Sequence, residues 1–467
     1  MTINSQTEPI TISTHTILHQ HRDGYWLIAD NPEGNVFGHI KCEINLAGKL
    51  ILQAIDGNRN INEVVKELCD SNALDEIQSR PWVTAFVDNM IERGILRVGR
   101  HSNHIPLTVV GTGDDIYPSH VSIEVTNACN LRCSFCYLCA GPDKRDRLDY
   151  REITDLLDDF KEHGVVAVSL TGGEFFLHPY AIEILAYACN RFPSVGLLTN
   201  GTVFPQAAID LLKQHRSQVT VSISIDSARP DLHNRMRGGR TAYERSTRTI
   251  RTLASNGILV RMSSVIVEDN MWQLDELAQL AISLGARAFS FNFVEGFGRG
   301  EAVKKQQSAN FDPGYSKYVS TVIEKYRRLI PIFKGEELSN TRRNCGAGTS
   351  SVSIGADGTV RPCPLFPTSN KLKNVRDDSL SSILETPLHR ALESIPAPSE
   401  ANGCSRDCDH FYECHNCYLR GLNVNANRPA NAYCSWIRKN ELQALVGLVR
   451  REPEPITISR KRPHDAN

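Results

Sequence analysis

The chain of 467 residues has no apolar run long enough to cross a bilayer. Its first residues, Met-Thr-Ile-Asn-Ser-Gln-Thr-Glu, lack the basic stretch and apolar core of a secretory signal. It also lacks a surplus of charge: 52 Lys and Arg against 53 Asp and Glu leave a formal net charge of −1, which offers phosphate backbones no general attraction. Neither a membrane nor a nucleic acid is therefore expected as a partner, and the cytoplasm is the expected compartment. Thiols stay reduced there, so the fourteen cysteines are not a disulfide framework and point instead to metal ligation. Composition is otherwise that of ordinary globular protein, with 41% hydrophobic and 22% charged residues. The length favours two or three domains.

The cysteines are not scattered evenly. Cys129, Cys133 and Cys136 stand in Thr126-Asn-Ala-Cys-Asn-Leu-Arg-Cys-Ser-Phe-Cys-Tyr137, directly after the apolar run Val121 to Val125. A short loop has no core in which to bury three thiols, so they are read as converging on one metal centre. A cubane iron–sulfur cluster usually takes four Cys ligands, and three from one loop leave one iron open. Zinc is the competing metal, although its structural sites normally use paired Cys or Cys and His spacings. Cys139, three residues further on, is left unassigned.

Residues from about 120 to 310 alternate strand-like runs, beginning at Val121, Val165, Val195, Val219, Leu259 and Ala286, with stretches of helical period such as Ile153 to Phe160 and Leu274 to Leu284. Such alternation argues for parallel βα units. Six units are too few to close an eight-stranded barrel, so the expected fold is α/β, a partial (β/α)6 barrel. Sites on parallel barrels gather at the C-terminal ends of the strands, which is where the cysteine loop falls. Later strand ends carry Thr171-Gly-Gly-Glu174, Thr199-Asn-Gly201 and the segment Val221-Ser-Ile-Ser-Ile-Asp226 leading to Arg237-Gly238. Paired glycines let backbone approach a ligand, and a guanidinium can hold a carboxylate with two parallel bonds.

The three-cysteine spacing followed by an aromatic residue resembles the signature of the radical S-adenosylmethionine (radical SAM) enzymes. The resemblance implies that the open iron binds SAM and that an electron from the cluster cleaves it to methionine and a 5′-deoxyadenosyl radical, which abstracts hydrogen from substrate. It also implies cofactor contacts at Tyr137, at Gly172, Gly173 and Glu174 around the methionine amino group, at Ser224 and Asp226 near the ribose, and at Arg237 on the methionine carboxylate. Arg235 is the rival for the last role. Phe175 stands where the family commonly has Pro, and Ser227 where it has Gly. The run Glu-Gly-Phe-Gly-Arg-Gly300 is expected to lay backbone against the adenine. No general base is singled out.

A second cysteine-rich region lies nearer the C-terminus. Cys345 and Cys363 flank two short alternating runs around Ala356-Asp-Gly358, a hairpin signal that would bring them together. Cys404, Cys408, Cys414, Cys417 and Cys434 then crowd into a stretch with almost no apolar periodicity, where metal has to substitute for a core. Zinc remains an alternative at Cys414 and Cys417. The order resembles the SPASM extension of radical SAM enzymes, which binds one or two auxiliary [4Fe-4S] clusters. By that resemblance Cys345, Cys363 and Cys417 hold the first, and Cys404, Cys408, Cys414 and Cys434 the second. The stretch from Gly346 to Gly355 lacks a further Cys found in many members.

Residues 12–98 form a separate unit: a hairpin from Thr16 to Ala29 turning at Asp23-Gly24, helices over Leu46–Ile55, Ile61–Cys69 and Trp82–Glu92, and a final strand Ile95–Val98. This is a winged-helix pattern, yet residues 1–100 carry 9 Lys and Arg against 13 Asp and Glu, the wrong sign for DNA. Leu46 to Gly57 with Ile61-Asn-Glu-Val-Val65 resembles instead the PqqD-like recognition domain of ribosomal-peptide (RiPP) pathways, in which a leader peptide adds as a strand to a sheet edge. Cys42 and Cys69 read as small core residues. Residues 99–120 are expected to be a polar linker, 340–440 the SPASM domain, and 441–467 a helix end and disordered tail.

The three resemblances in this order imply a radical SAM maturase of a ribosomally made precursor peptide, working by cross-linking, epimerisation or oxidation. Its electron would come from a reductase, flavodoxin or ferredoxin. The alternatives are a radical SAM oxidase of Cys or Ser in a folded protein, as sulfatase-maturing enzymes are, and a metal-dependent winged-helix regulator.

Overall fold

The computed structural model describes residues 7–21, 24–30, 39–99, 104–114, 116–306, 313–334, 346–367, 372–408, 410–414, 416–426 and 428–449. They form two compact units. The first runs to residue 334 and includes residues 346–365 and 372–393; the second is made chiefly of residues 394–449. Cys345, Asp23 and the tail from residue 450 lie outside the described residues. Among the described residues no helix is long and apolar enough to cross a membrane.

The first unit opens with β1 (Ile10–Ile12), then β2 (Thr16–His21) and β3 (Gly24–Asp30), an antiparallel hairpin with His21 opposite Gly24. β4 (His39–Ile44), which the sequence pattern does not announce, returns along β3. Three helices come next, α1 (Leu46–Ala54), α2 (Ile61–Asn72) and α3 (Glu76–Glu92). Asn45 caps α1 by accepting from the Gly48 N–H, and Asn60 with Glu63 makes a reciprocal capping box on α2. Ile51, Leu52, Val64, Val65, Val83 and Val87 turn inward onto Leu18 and Leu27 of the hairpin. Cys69 joins this core and Cys42 packs against it, as small apolar residues do.

Two expectations fail here. α3 starts at Glu76 rather than Trp82, because the Asp75 side chain caps it through the Gln78 N–H and the helix runs through Pro81. Residues 99–120 are not merely a linker: β6 (Thr108–Val110), which comes after β5 (Leu96–Val98), lies parallel to β2 and completes the sheet order β4-β3-β2-β6. β5 pairs with β1, not with the hairpin. Ile17, Ile28 and the barrel residue Val166 form a small apolar cluster that ties this sheet to the barrel portion of the same unit.

The barrel portion alternates β7 (His120–Glu124), α4 (Tyr150–Glu162), β8 (Ala167–Thr171), α5 (Ala181–Cys189), β9 (Ser194–Thr199), α6 (Gln206–Gln214), β10 (Val219–Ser224), α7 (Pro230–Arg237), α8 (Ala242–Ser255), β11 (Leu259–Ile266), α9 (Leu274–Ser283) and β12 (Ala288–Phe293). β7 to β12 pair in parallel, in sequence order, as the six expected units of a partial barrel. The sheet continues beyond them. β13 (Ile332–Lys334) extends it past β12, while β14 (Ser351–Ile354) lies parallel to β7 and β15 (Val360–Arg361) antiparallel to β14. The hairpin around Ala356-Asp-Gly358 therefore forms as expected, but as part of the barrel sheet.

Strand alternation divides the two faces. Val121, Ile123, Val168, Leu170, Val221 and Ile223 join the core under the helices. The intervening positions are polar: His120 Nε2 meets Ser169 Oγ at 2.9 Å, Arg261 Nε donates to Ser222 Oγ at 3.1 Å, and Ser290 Oγ donates to Ser263 Oγ at 3.1 Å. The inner face is lined with hydroxyls rather than with the branched apolar layers that fill a closed barrel.

Candidate functional site

The loop after β7 carries Cys129, Cys133 and Cys136, and its shape is imposed by close backbone neighbours. At its start the Gly173 N–H donates to the Thr126 carbonyl at 2.6 Å and the Glu174 N–H to the Ala128 carbonyl at 2.9 Å. A Cβ on Gly172 would strike the Thr126 carbonyl, and one on Gly173 would lie 2.7 Å from the Asn127 oxygen. Midway, the Arg132 and Ser134 N–H groups donate to the carbonyls of Arg237 and Met236. At its end Gly298, with φ +55°, sits against the Cys136 and Tyr137 carbonyls. The paired glycines thus hold the cysteine loop itself.

The donor set fits an iron–sulfur cluster. Cys129 and Cys133 are buried, beside Leu131, Phe135, Leu232 and Met236. Burial pushes the Cys129 thiol up to about 12, with Cys133, Glu174 and Cys136 adding to the rise. Cys133 is raised by burial as well, against the lowering influence of Arg237. Bound metal reverses this by supplying the positive charge that makes a buried thiolate favourable. N–H donors already point at the sulfurs: Leu131 N and Asn200 Nδ2 approach Cys129 Sγ at 3.4 and 3.8 Å, and Arg237 Nη1 approaches Cys133 Sγ at 3.7 Å. Among the described residues no three Cys, His, Asp or Glu side chains converge tightly enough for a single ion. A cubane does not ask them to, since its thiolates bind different irons.

The structure occupies the residues singled out as cofactor contacts in ways the sequence does not reveal. The buried Glu174 carboxylate accepts from Thr199 Oγ1 at 2.7 Å, the Asn200 N–H at 2.8 Å and the Phe176 N–H at 3.2 Å, tying the end of β8 to that of β9. Burial nevertheless pushes its carboxyl up to about 7. Asp226 and Arg237, expected at the sugar and the carboxylate, pair with each other. Arg237 Nη2 donates to Asp226 Oδ1 at 2.9 Å and Nε to Oδ2, while the Val265 N–H takes a further bond to Oδ1. Asp226 is 0% exposed. A buried cation and a buried carboxylate on adjacent elements neutralise one another before a ligand arrives. The rival Arg235 is exposed and faces Asp269. Ser224 is half-buried at the end of β10, in register with Ser263. Tyr137 turns its hydroxyl to Glu124 at 3.4 Å, and Glu124 forms a buried ion pair with Arg361.

Sequence reasoning missed two residues. Asn200, inside Thr199-Asn-Gly201, reaches both Cys129 Sγ and Asn130 Oδ1. Arg299, in the run assigned to the adenine, lies on the cysteine loop and donates to the Cys133 and Ala140 carbonyls. The glycines flanking Arg299 signal a close backbone approach, though not its target.

In the second unit, Cys404, Cys408, Cys414 and Cys434 line one small cavity together with His410, Asn425 and Trp436. Asn425 fixes one edge: its Nδ2 donates to Cys434 Sγ at 3.3 Å and its Oδ1 accepts from the Cys434 N–H at 2.9 Å. Cys417 lies outside that lining. Four thiols around one cavity suit a cubane. Cys363 belongs to the first unit and Cys417 to the second.

Comparison with known proteins decides the family. The radical SAM superfamily model matches residues 123–281, and the SPASM iron–sulfur cluster-binding domain model matches residues 345–418. The antilisterial bacteriocin subtilosin biosynthesis protein AlbA of Bacillus subtilis is 32% identical over 438 residues, 92% of this chain and 97% of that protein. The chain belongs to the radical SAM superfamily. The sporulation killing factor maturation protein SkfB of the same bacterium is 27% identical over 325 residues, 69% of this radical SAM chain and 75% of its relative. Streptococcus suis SuiB bound to its precursor peptide SuiA shares the fold with a TM-score of 0.62 at 16% identity, covering 88% of this chain and 96% of that one. Membership of the radical SAM and SPASM families implies [4Fe-4S] clusters and SAM, and sets aside the winged-helix regulator.

For this radical SAM protein the tight seating of Gly173 gives a direct expectation. Gly173→Ala should distort the first cysteine turn, lowering iron in the reconstituted enzyme by up to about four per chain, the content of one cubane. Iron analysis checks this, and undiminished iron would show that the loop tolerates the added methyl.

Proposed function

We propose that this protein is a maturase that modifies a ribosomally made precursor peptide by hydrogen abstraction. The likeness to the subtilosin biosynthesis protein over nearly the full length of both chains carries the reading. When bound, the cluster and SAM supply the 5′-deoxyadenosyl radical; the chain's task is to seat them and to present peptide. Cys129, Cys133 and Cys136 hold the first cluster, with Asn200 and Arg237 directed at their sulfurs. We assign SAM contacts to Tyr137, to the backbone at Gly172 and Gly173, and to Ser224. Glu174, Asp226 and Arg237 hold the walls of the site. The hydroxyl-lined inner face gives a peptide backbone donors and acceptors to replace those of water. The cysteines from Cys345 to Cys434 hold auxiliary clusters, and a reductase, flavodoxin or ferredoxin in the reducing cytoplasm supplies the electron.

In this reading the unit before residue 99 is PqqD-like and receives the leader. β4 is a terminal strand of its sheet, pairing only β3 among the described strands, so one of its edges suits strand addition. Hydrogen exchange with and without the peptide encoded beside the enzyme tests this. Amides of β4 should exchange about tenfold more slowly with peptide present, as an added strand takes up their free N–H groups. Protection elsewhere, with β4 unchanged, would place the leader on another surface.

A further inference from the structure

A loop that must aim three thiolates makes few main-chain bonds of its own, here long ones from the Cys136 N–H to the Cys133 oxygen at 3.4 Å and from the Cys139 N–H to the Cys136 oxygen at 3.3 Å, so its carbonyls have room for further donors. Three of those carbonyls, on Cys133, Cys136 and Ala140, are served by one residue. The Arg299 N–H donates to the Cys136 oxygen at 3.0 Å. Its Nε donates to the Cys133 oxygen at 2.7 Å and its Nη2 to the Ala140 oxygen at 2.8 Å.

We propose that Arg299 is a positioning residue for the cluster held by Cys129, Cys133 and Cys136, its guanidinium clamping the loop from the side of β12. Nε and Nη2 lie on one edge of a planar, permanently charged group, so two carbonyls are held at a fixed separation, which a lysine ammonium cannot do. Of the carbonyls so fixed, that of Cys133 belongs to a ligand residue and that of Ala140 closes the loop beyond the third cysteine, while the main-chain N–H holds Cys136. Fixing the Cys133 carbonyl sets the direction in which its Cβ and Sγ leave the backbone. The approach requires the residue before it to be small. At Gly298 a Cβ would lie 2.5 Å from the Cys136 oxygen, and φ is +55°. Arg237, whose carbonyl accepts from the Arg132 N–H, holds the loop at a second point. The two arginines differ in charge balance: Arg237 is neutralised by Asp226, whereas the Arg299 bonds go to carbonyls, leaving its positive charge beside an anionic cluster.

The test uses the full-length reconstituted enzyme without peptide, so it does not depend on the peptide-maturase reading. Arg299→Lys keeps the charge and loses the fork; Arg299→Gln loses the charge. Release of ferrous iron to a chelator is followed under anaerobic conditions, with electron paramagnetic resonance of the reduced protein before and after SAM. Outer contacts to metal ligands typically change affinity at least tenfold. Both variants should therefore lose the iron of this cluster about tenfold faster, and their SAM-responsive signal should shift or shrink while the auxiliary signals persist. Arg299→Lys releasing iron at the wild-type rate with an unchanged signal would overturn the proposal. So would loss of the auxiliary clusters in Arg299→Lys, because the clamp acts on the first loop alone. If Arg299→Gln does not fold, Arg299→Lys decides by itself.

Discussion

Replacing Cys129, Cys133 and Cys136 together by Ala should reduce 5′-deoxyadenosine formation under strong reductant to background and remove about four irons per chain. The remaining iron should stay, because Cys404, Cys408, Cys414 and Cys434 line their own cavity in a separate unit. The loop should survive the change. Its main-chain bonds to Gly173, Glu174, Arg237 and Met236 do not involve the thiols. Product analysis by mass spectrometry with iron determination reads both halves of the result. Undiminished SAM cleavage would dismiss these cysteines as cluster ligands. Zinc in place of the residual iron would dismiss the auxiliary assignment instead.

Asp226→Ala should lower the stability of the cluster-free protein by about 3–5 kcal/mol, the usual cost of stranding one member of a buried ion pair. Arg237 is 8% exposed and would be left facing the vacated site without its counter-charge. The Asp226 carboxylate also accepts from the Val265 N–H at 2.9 Å, a bond that an amide oxygen can keep and a methyl group cannot, so Asn at this position should cost less than Ala. Denaturation by urea, followed on the cluster-free protein, gives the value. Family resemblance alone puts Asp226 at the SAM ribose. If that is its main employment, the substitution would leave stability unchanged and weaken SAM binding.

The cysteine spacings, the six parallel strands and both hairpins were legible because each is written locally. A thiol triad sits in eight residues, and a parallel strand buried under helices advertises itself as an apolar run. The pairing of Asp226 with Arg237 was not legible. Eleven positions separate them, and either side chain could have been aimed at a ligand; only the geometry of β10 and α7 shows them aimed at each other. Arg299 and β6 were missed for the same reason. The partners of Arg299 lie more than 150 positions earlier, and three residues of β6 carry too little alternation to stand out from the linker.

That short strand changes where the molecule can be cut. The N-terminal sheet and its helices, moved between enzymes, would naturally be excised at Val98, where the last predicted strand ends. The cut would strip β2 of its parallel neighbour and remove Val110, which packs against Ile17 and Ile28. The Gln20 amide would also lose its bond to the Gly111 carbonyl. A chimaera joined after residue 111 carries the complete sheet with it. Grafts made at the two junctions from one donor would then differ in solubility before any difference in peptide choice could be read.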